Sequence, residues 1–306
     1  MKPKNSHSKQ HFRTKDTLAT VFLWQNISTF QFMPLFKPFE YIADFQYDNG
    51  WDKYALKYAT LLQKDTLYYL HKQVLYDYME HSILPHLGGN LNILDVNCGT
   101  GNDFPFLLSK GKVTGIDGSA GMLNKAAETY SSAIDNGSLK LYQGMTQDLT
   151  PESLNGERFD IIYSITGGFS YINDEQFGKS FKVLQSMLRP GGVIITAHLN
   201  TFCLAETIAC LWKGRFKRSL LRLKKTIPNI HGASMHLRSK KDLKRLLDPI
   251  FDKTEYLPLI AIAPPYQTDV VLKPETVKKL RKVENWMVAH KLGNLWADQI
   301  VAVSRN

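Results

Sequence analysis

Cysteine is scarce: Cys98, Cys203 and Cys210 are the whole complement, and none has a His or Cys neighbour at metal-ligand spacing. A disulfide framework and a cysteine-based metal centre are both excluded on that count, no metal is expected, and a reducing compartment is implied. Long apolar runs are missing too. The longest candidate, Leu18 to Phe36, is broken by Gln25, Asn26, Ser28, Thr29 and Gln31 and does not reach the roughly 18 residues a membrane helix needs. The chain is therefore expected in the cytoplasm, with a peripheral position at a membrane left open. Internal repeats and low-complexity blocks are absent. Acid is short relative to base, 28 Asp and Glu against 38 Lys and Arg, a net charge of +10. That excess suits an acidic partner such as nucleic acid, anionic lipid or an acidic carrier, and says nothing of the fold. What is plentiful is core material: 43% of the 306 residues are hydrophobic and 22% charged, enough for one large domain with an accessory part.

Five segments are expected. Residues 1–37 begin with Lys2, Lys4, Lys9, Arg13 and Lys15 against the single acid Asp16, and read as a basic, disordered extension. They lack the small-x-small site of a secretory signal. Residues 38–85 read as a helical N-terminal lid, because Trp51, Tyr54, Tyr58, Leu61 and Leu62, then Leu67, Leu70, Val74 and Tyr78, recur at intervals of three and four. Residues 86–200 change character. Short apolar runs at Asn92–Val96, Lys112–Ile116, Leu139–Tyr142, Phe159–Ser164 and Val193–Ala197 alternate with amphipathic stretches such as Phe104–Leu108 and Met122–Tyr130. That rhythm predicts βαβ units around a doubly wound, mostly parallel sheet. Residues 201–250 break it and read as a basic helical cap insert. Residues 251–306 return two late strands, Leu257–Ala263 and Gln299–Ser304, for seven in all.

The segment Ile93-Leu94-Asp95-Val96-Asn97-Cys98-Gly99-Thr100-Gly101-Asn102-Asp103 carries an apolar strand into a glycine turn and then a helix starting near Phe104. Glycines at such a turn permit positive φ and close approach of a ligand to the main chain. The next strand ends at Asp117, sixteen residues past Gly101, where a carboxylate can accept from both hydroxyls of a ribose. A nucleoside-containing cofactor is implied. A dinucleotide fingerprint needs a third glycine where Phe104 stands, and Asp95 and Asp103 suit a cation better than a diphosphate. S-adenosylmethionine, with a sulfonium, an ammonium and no phosphate, fits better than a nicotinamide cofactor.

These residues resemble the first motif of class I S-adenosylmethionine-dependent methyltransferases, with Asp117 as the second-strand acid. The likeness continues through Gln143-Gly144-Met145-Thr146-Gln147-Asp148-Leu149, Phe159-Asp160-Ile161-Ile162-Tyr163-Ser164 and Leu188-Arg189-Pro190-Gly191-Gly192, in the family's order over about residues 40–200. It departs at Asn97, where the family usually has Gly; Asn tolerates a left-handed backbone better than most residues. The resemblance implies a Rossmann-like methyltransferase fold and assigns cofactor roles. Gly99 and Gly101 shape the loop with Asn97, Asp95 holds the methionine amino group, and Asp117 the ribose. Gly118 and Met122 pack by the adenosine, Met145 and Thr146 flank the adenine, and Ser164 borders the cofactor at its strand end. Tyr47, in Ala43-Asp44-Phe45-Gln46-Tyr47-Asp48, resembles the segment that closes over the cofactor.

The acceptor pocket of this architecture lies beyond the carboxyl ends of the strands, which places Thr166, Phe169, Tyr171, His198 and Asn200 at its rim. His198 is the candidate general base or acceptor-orienting group, with Tyr171 second and His236 a weaker candidate. The Asn/Asp-Pro-Pro-aromatic tetrad of amino-group methylases is absent after Ser164, and no cysteine nucleophile follows that strand closely. A small or lipid-like acceptor is expected; the rival is a catalytically silent module that binds the cofactor and a protein or membrane partner. In the cap, Leu204, Ile208, Trp212, Phe216, Leu220 and Leu223 form one apolar stripe if the segment is helical. From Lys213 to Arg245 there are twelve basic residues and one acid, Asp242. The plain reading is a stripe that covers the acceptor pocket beneath solvated charges. The sharper one is a surface for an anionic membrane or acidic carrier; nucleic acid is disfavoured for want of a stacking platform.

Overall fold

The computed structural model describes residues 36–47, 50–60, 66–165, 167–228, 234–268 and 270–306, all within one compact unit. Its strands are β1 (Lys37–Pro38), β2 (Leu91–Val96), β3 (Gly111–Asp117), β4 (Leu139–Gln143), β5 (Phe159–Ser164), β6 (Leu188–Leu199), β7 (Thr226–Pro228), β8 (Ser234–His236), β9 (Lys253–Leu259) and β10 (Gln299–Arg305). Eight of them form one sheet in the order β1-β4-β3-β2-β5-β6-β10-β9, and β7 and β8 pair separately. From β4 to β6 the neighbours run parallel; β1, β10 and β9 join antiparallel. The chain leaves the centre at β2 towards β4 and then returns to β5, so its direction reverses between β2 and β5. That reversal opens a crevice at the carboxyl ends of the strands.

The central strands are nearly continuous apolar runs because both faces are covered. Ile93, Val113, Ile161, Val193 and Val303 enter one core, while Leu94, Ile116, Ile162, Ile194 and Ala302 enter the other, the period of two that strand geometry imposes. The first core is roofed by α2 (Thr66–Ser82), the second by α6 (Asp174–Ser186), whose start is fixed by a capping box between Asn173 and Gln176. No helix among the described residues is long and apolar enough to cross a membrane, and none of their His, Cys, Asp and Glu groups could hold a metal ion.

Four expectations are corrected. The sheet has eight strands rather than seven, and the fold begins before residue 38. Phe36 is buried against Gly144, where a Cβ would fall 2.5 Å from its ring, and β1 extends the edge beside β4. The strand expected over Leu257–Ala263 stops at Leu259, because Ile260 takes φ 58° and the Glu284 carboxylate accepts the N–H groups of Ala261, Ile262 and Ala263 at 2.7, 2.8 and 2.7 Å. The cap is only partly helical. Its apolar stripe is divided between α7 (Leu204–Trp212) and α8 (Phe216–Ser219) at Gly214, φ 67°, and the β7–β8 pair follows. Leu204, Ile208, Trp212, Phe216, Leu220 and Leu223 are all exposed, so the stripe faces away from the cavity it was expected to cover.

One ion pair ties the N-terminal helices to the glycine turn. Lys72 on α2, with no exposed surface, donates to Asp103 Oδ2; Tyr76 and Tyr163 donate to Asp103 Oδ1, the latter at 3.0 Å. Removing one member strands a charge in the core. Lys72→Met is expected to lower unfolding free energy by about 3–5 kcal/mol in urea titrations, and Lys72→Met with Asp103→Leu to recover more than half of that loss.

Candidate active site

The turn after β2 holds three consecutive odd-numbered residues in the left-handed region: Asn97 at φ 59°, Gly99 at 56° and Gly101 at 75°. A Cβ on Gly101 would lie 2.3 Å from the Phe104 ring. Phe104 therefore fills the space that a third glycine would leave open, which bars the close helix approach a pyrophosphate needs. Asp117, at the tip of β3, accepts from the Gly99 and Ser119 amides at 2.9 and 2.8 Å. Burial pushes its carboxyl above the usual range despite those donors. Asp95 is more deeply placed: burial and then the Asp103 charge hold its pKa well above the ordinary value, and Oδ2 has no protein partner. Asn97 accepts from Thr146 Oγ1 at 2.8 Å through Oδ1, while its Nδ2 has no partner.

A cavity of about 1040 Å³ opens from this turn. Of the residues expected at the site, Asn97, Gly99, Asp117, Gly118, Met122, Met145, Thr146 and Tyr171 lie on its wall. Other expected site residues stand off the wall. Asp95, Gly101 and Ser164 lie behind it, Ser164 with an unpartnered hydroxyl. Tyr47 is held away by the Asn124 amide, which donates to its hydroxyl at 3.1 Å. Asn200 donates to the Asn294 and Ala297 carbonyls, and Phe169 belongs to the opposite core. His236 is on β8, off the wall, and Thr166 falls outside the described residues.

His198 is also off the wall, and its placement has a simple cause. On β6 it stands opposite Ile300 of β10, whereas the next residue, Leu199, stands opposite Gln299. Side chains alternate along a strand, so Leu199 and Gln299 reach the cavity and His198 turns into the other core. There it lies beside the rings of Phe169, Phe177 and Phe181 with Nε2 2.8 Å from Thr196 Oγ1, and burial, with Arg238 nearby, pushes its pKa down to about 3.

Three features of the wall were not read from the sequence as functional. Helix α1 (Gly50–Tyr58) crosses the start of α4 (Ala120–Thr129): Asp52 Oδ1 accepts from Ser119 Oγ at 2.5 Å and from the Gly121 amide at 2.8 Å. It brings Trp51, Tyr54 and Tyr58 to the cavity, and they continue a chain of neighbouring rings from Tyr171 to Tyr68 and Tyr266. The threefold and fourfold spacing of those residues reads as helix amphipathicity and does not separate a core face from a cavity face. Second, Arg222 from the cap reaches the wall fully engaged: it donates to Glu206 Oε2, to the Asn200 and Asp298 carbonyls at 3.3 and 2.9 Å, and to Asp298 Oδ1 at 2.5 Å. Third, His71 faces the cavity from α2. The available signal was its place four residues after Leu67, on the buried stripe.

Three comparisons bear on this site. The sequence profile of the family described as "Methyltransferase domain" matches residues 93–192. A Staphylococcus aureus demethylmenaquinone methyltransferase is 36% identical over 169 residues, 52% of this chain and 66% of that protein. Mouse glycine N-methyltransferase is 30% identical over 119 residues, 35% of this chain; the match spans 40% of that relative's own length. An S-adenosylmethionine-dependent methyltransferase from Clostridium acetobutylicum superposes with a TM-score of 0.51 at 15% identity, covering 83% of this chain and 98% of its own, a likeness of fold.

The buried carboxyl of Asp95 gives a test independent of any ligand. Its pKa is raised on folding, so its protonated form favours the native state, and that contribution is lost as pH rises through the folded value. Asp95→Asn, which cannot ionise, is expected to melt above the native protein at pH 7 to 8. The gap should narrow as pH falls toward about 4, the ordinary carboxylate range.

Proposed function

Because the chain belongs to the class I S-adenosylmethionine-dependent methyltransferases, we propose that it moves the methyl group of that cofactor to an O, N or C atom of a small or lipid-like acceptor. The observation that carries this reading is the pairing of Asp117 with the left-handed glycine turn on one cavity wall. The residues fit the group. Asp117 offers acceptors for two ribose hydroxyls, and Asn97 Nδ2, on the same wall, is a donor left without a protein partner, with the unpartnered Asp95 Oδ2 behind it. Met145 packs directly on Gly118, where a Cβ would sit 2.3 Å from its sulfur, and both line the cavity where the base would lie. The aromatic chain from Tyr171 to Tyr266 offers π faces to a cation. Bound there, S-adenosylmethionine supplies a methyl group activated by its sulfonium for in-line displacement. The chain's own part is to fix both reactants and exclude water, which is where much of the barrier lowering for such a displacement can come from. The relatives' names support a small acceptor, demethylmenaquinone in one and glycine in the other. A catalytically silent module is disfavoured, because the cavity continues well past the residues the cofactor would use.

For the partner, the finer reading is an anionic membrane surface. Trp212 is 82% exposed and Phe216, Leu220 and Leu223 60–65%, and Lys217 and Lys224 are interleaved with them. An exposed apolar row flanked by base is the pattern of a segment that lies in a lipid interface, apolar side chains down and cations at the headgroups.

Two measurements test these readings. S-adenosylhomocysteine at about 100 times its dissociation constant should add roughly 2.7 kcal/mol of stability, a midpoint rise of a few degrees. Nicotinamide cofactors should add nothing, and Asp117→Ala should abolish the rise; no rise in the native protein removes the cofactor reading. Co-sedimentation with vesicles containing one-third phosphatidylglycerol should retain the protein at low salt, less at 0.5 M salt and least in Trp212→Ser/Phe216→Ser. Equal binding to neutral vesicles, or none to either, removes the membrane reading.

A further inference from the structure

The end of the cavity remote from Asp117 is built by the cap. Asp117 stands at the tip of β3, whereas Arg222 joins the cap to Asp298, the residue before β10. Those two strands lie four places apart in the sheet, about 19 Å at the usual strand spacing. Two guanidiniums reach the wall at this end, and they differ in what they have left to give. Arg222 spends its donors on Glu206, Asp298 and the Asn200 carbonyl. Arg218, on α8, is held by one contact: Nη2 donates to the Gln267 carbonyl at 3.1 Å. Glu206 Oε1 stands 3.9 Å from its Nε, beyond hydrogen-bond reach. Nη1 of Arg218 has no hydrogen bond among the described residues. Its side chain is 41% exposed, so an incoming ligand meets it without displacing a protein partner. Lys213 adds to the local field, donating to the Thr268 carbonyl at 2.7 Å, one residue beyond Gln267. Among the described residues, Lys213, Arg218 and Arg222 outnumber the acids that meet them, Glu206 and Asp298.

We propose that Arg218 anchors the acceptor, and that it selects a carboxylic acid with an apolar body. The inference rests on the methyl-transfer reading and adds to it the chemical class of the substrate. Three arguments narrow the class. A planar carboxylate matches a guanidinium that still has N–H groups to donate, and that charge does not titrate near neutral pH. One such group, with Glu206 close by, suits a single negative charge better than a dianionic phosphate. An ammonium finds no counterpart here: Asp52 and Asp117 belong to the cofactor end, and Glu206 is neutralised by Arg222. The body of the molecule meets Leu221, Ile227 and Met235, which line the same end, the last two paired across the β7–β8 hairpin. These side chains offer apolar surface and no donor. Held by its acid at the cap, the molecule extends towards the glycine turn, where its other end meets the cofactor.

The experiment uses 4-phenylbutanoate and 4-phenylbutanamide, two probes of one shape that differ in charge. Both are titrated calorimetrically into the full chain at 0.05 M salt, with and without saturating S-adenosylhomocysteine. Expected is a preference of about tenfold for the acid, the worth of a charge-assisted contact in a half-open cleft. The preference should shrink at 0.5 M salt, which screens the acid and leaves the amide unaffected. Arg218→Gln should bring the acid down to the level of the amide. Arg218→Lys, which keeps the charge and loses the fork, should retain part of the preference. A wall that merely collapsed would weaken both probes alike, so the ratio separates anchoring from structure. Both variants should bind S-adenosylhomocysteine within about twofold of native, and Lys241→Gln, an exposed cation off the cavity wall, should leave the ratio unchanged. Equal affinity for the two probes, no binding of the acid, or a preference that survives Arg218→Gln overturns the proposal. Failure to bind S-adenosylhomocysteine would instead strike the cofactor reading, since the probe comparison is also made without it.

Discussion

The buried pair of Lys72 and Asp103 is the constraint on which the site depends. Asp103 ends the glycine turn, and Lys72 sits on a helix that precedes the parallel strands of the sheet in sequence. Their contact turns the Lys72 face of α2 towards the glycine turn. Since His71 is the next residue, a helix held with Lys72 against the turn presents His71 a hundred degrees away, into the cavity. The glycine turn and the His71 side of the cavity are thus tied to neighbouring residues on one helix. The hydroxyls of Tyr76 and Tyr163 complete the shell around Asp103, and the Lys72 ammonium lies over the Tyr68 ring, the supporting contacts a buried ion pair needs.

The cap obeys a different economy of charge. Its most engaged cation, Arg222, points inward and is neutralised by Glu206 and Asp298, which closes the cavity without offering a charge to the ligand. Its apolar stripe points outward, contrary to the usual sense of an amphipathic segment. Splitting the stripe at Gly214 lets α7 and α8 take different directions, and Arg218 fastens α8 by donating to the Gln267 carbonyl at 3.1 Å. A basic insert can in this way serve two surfaces at once, an interior wall and a positively charged, apolar exterior.

Much of the fold was legible because it rests on local signals. Alternating strand and helix runs, the glycine turn and the acid sixteen residues on are properties of short windows, and the strands from β2 to β6 fall where those windows put them. The losses have physical causes as well. The two-residue strand β1 has no pattern of its own and exists only because Phe36 finds Gly144. The early end of β9 is imposed by Glu284, a carboxylate 24 residues further on. In the site, residues on the glycine turn and after β3 were readable because a motif fixes them. His198 was misjudged by one step of strand parity, which a window cannot settle without the register to β10. His71 and the aromatic row of α1 were hidden for another reason. Cavity-facing and core-facing positions share one helical period, and only the packing partner distinguishes them.

The unpartnered polar atoms are what connect stability to function here. Asp95 Oδ2 and Asn97 Nδ2 beside the glycine turn are buried without a protein partner, and the two carboxyls beside the turn have raised pKa values. A core designed for stability alone would fill such positions with apolar groups. Their cost is offset by well-satisfied neighbours, among them Glu284 with its three amides and Arg238 with two buried carbonyls. A ligand that satisfies them must then stabilise the native state as it binds.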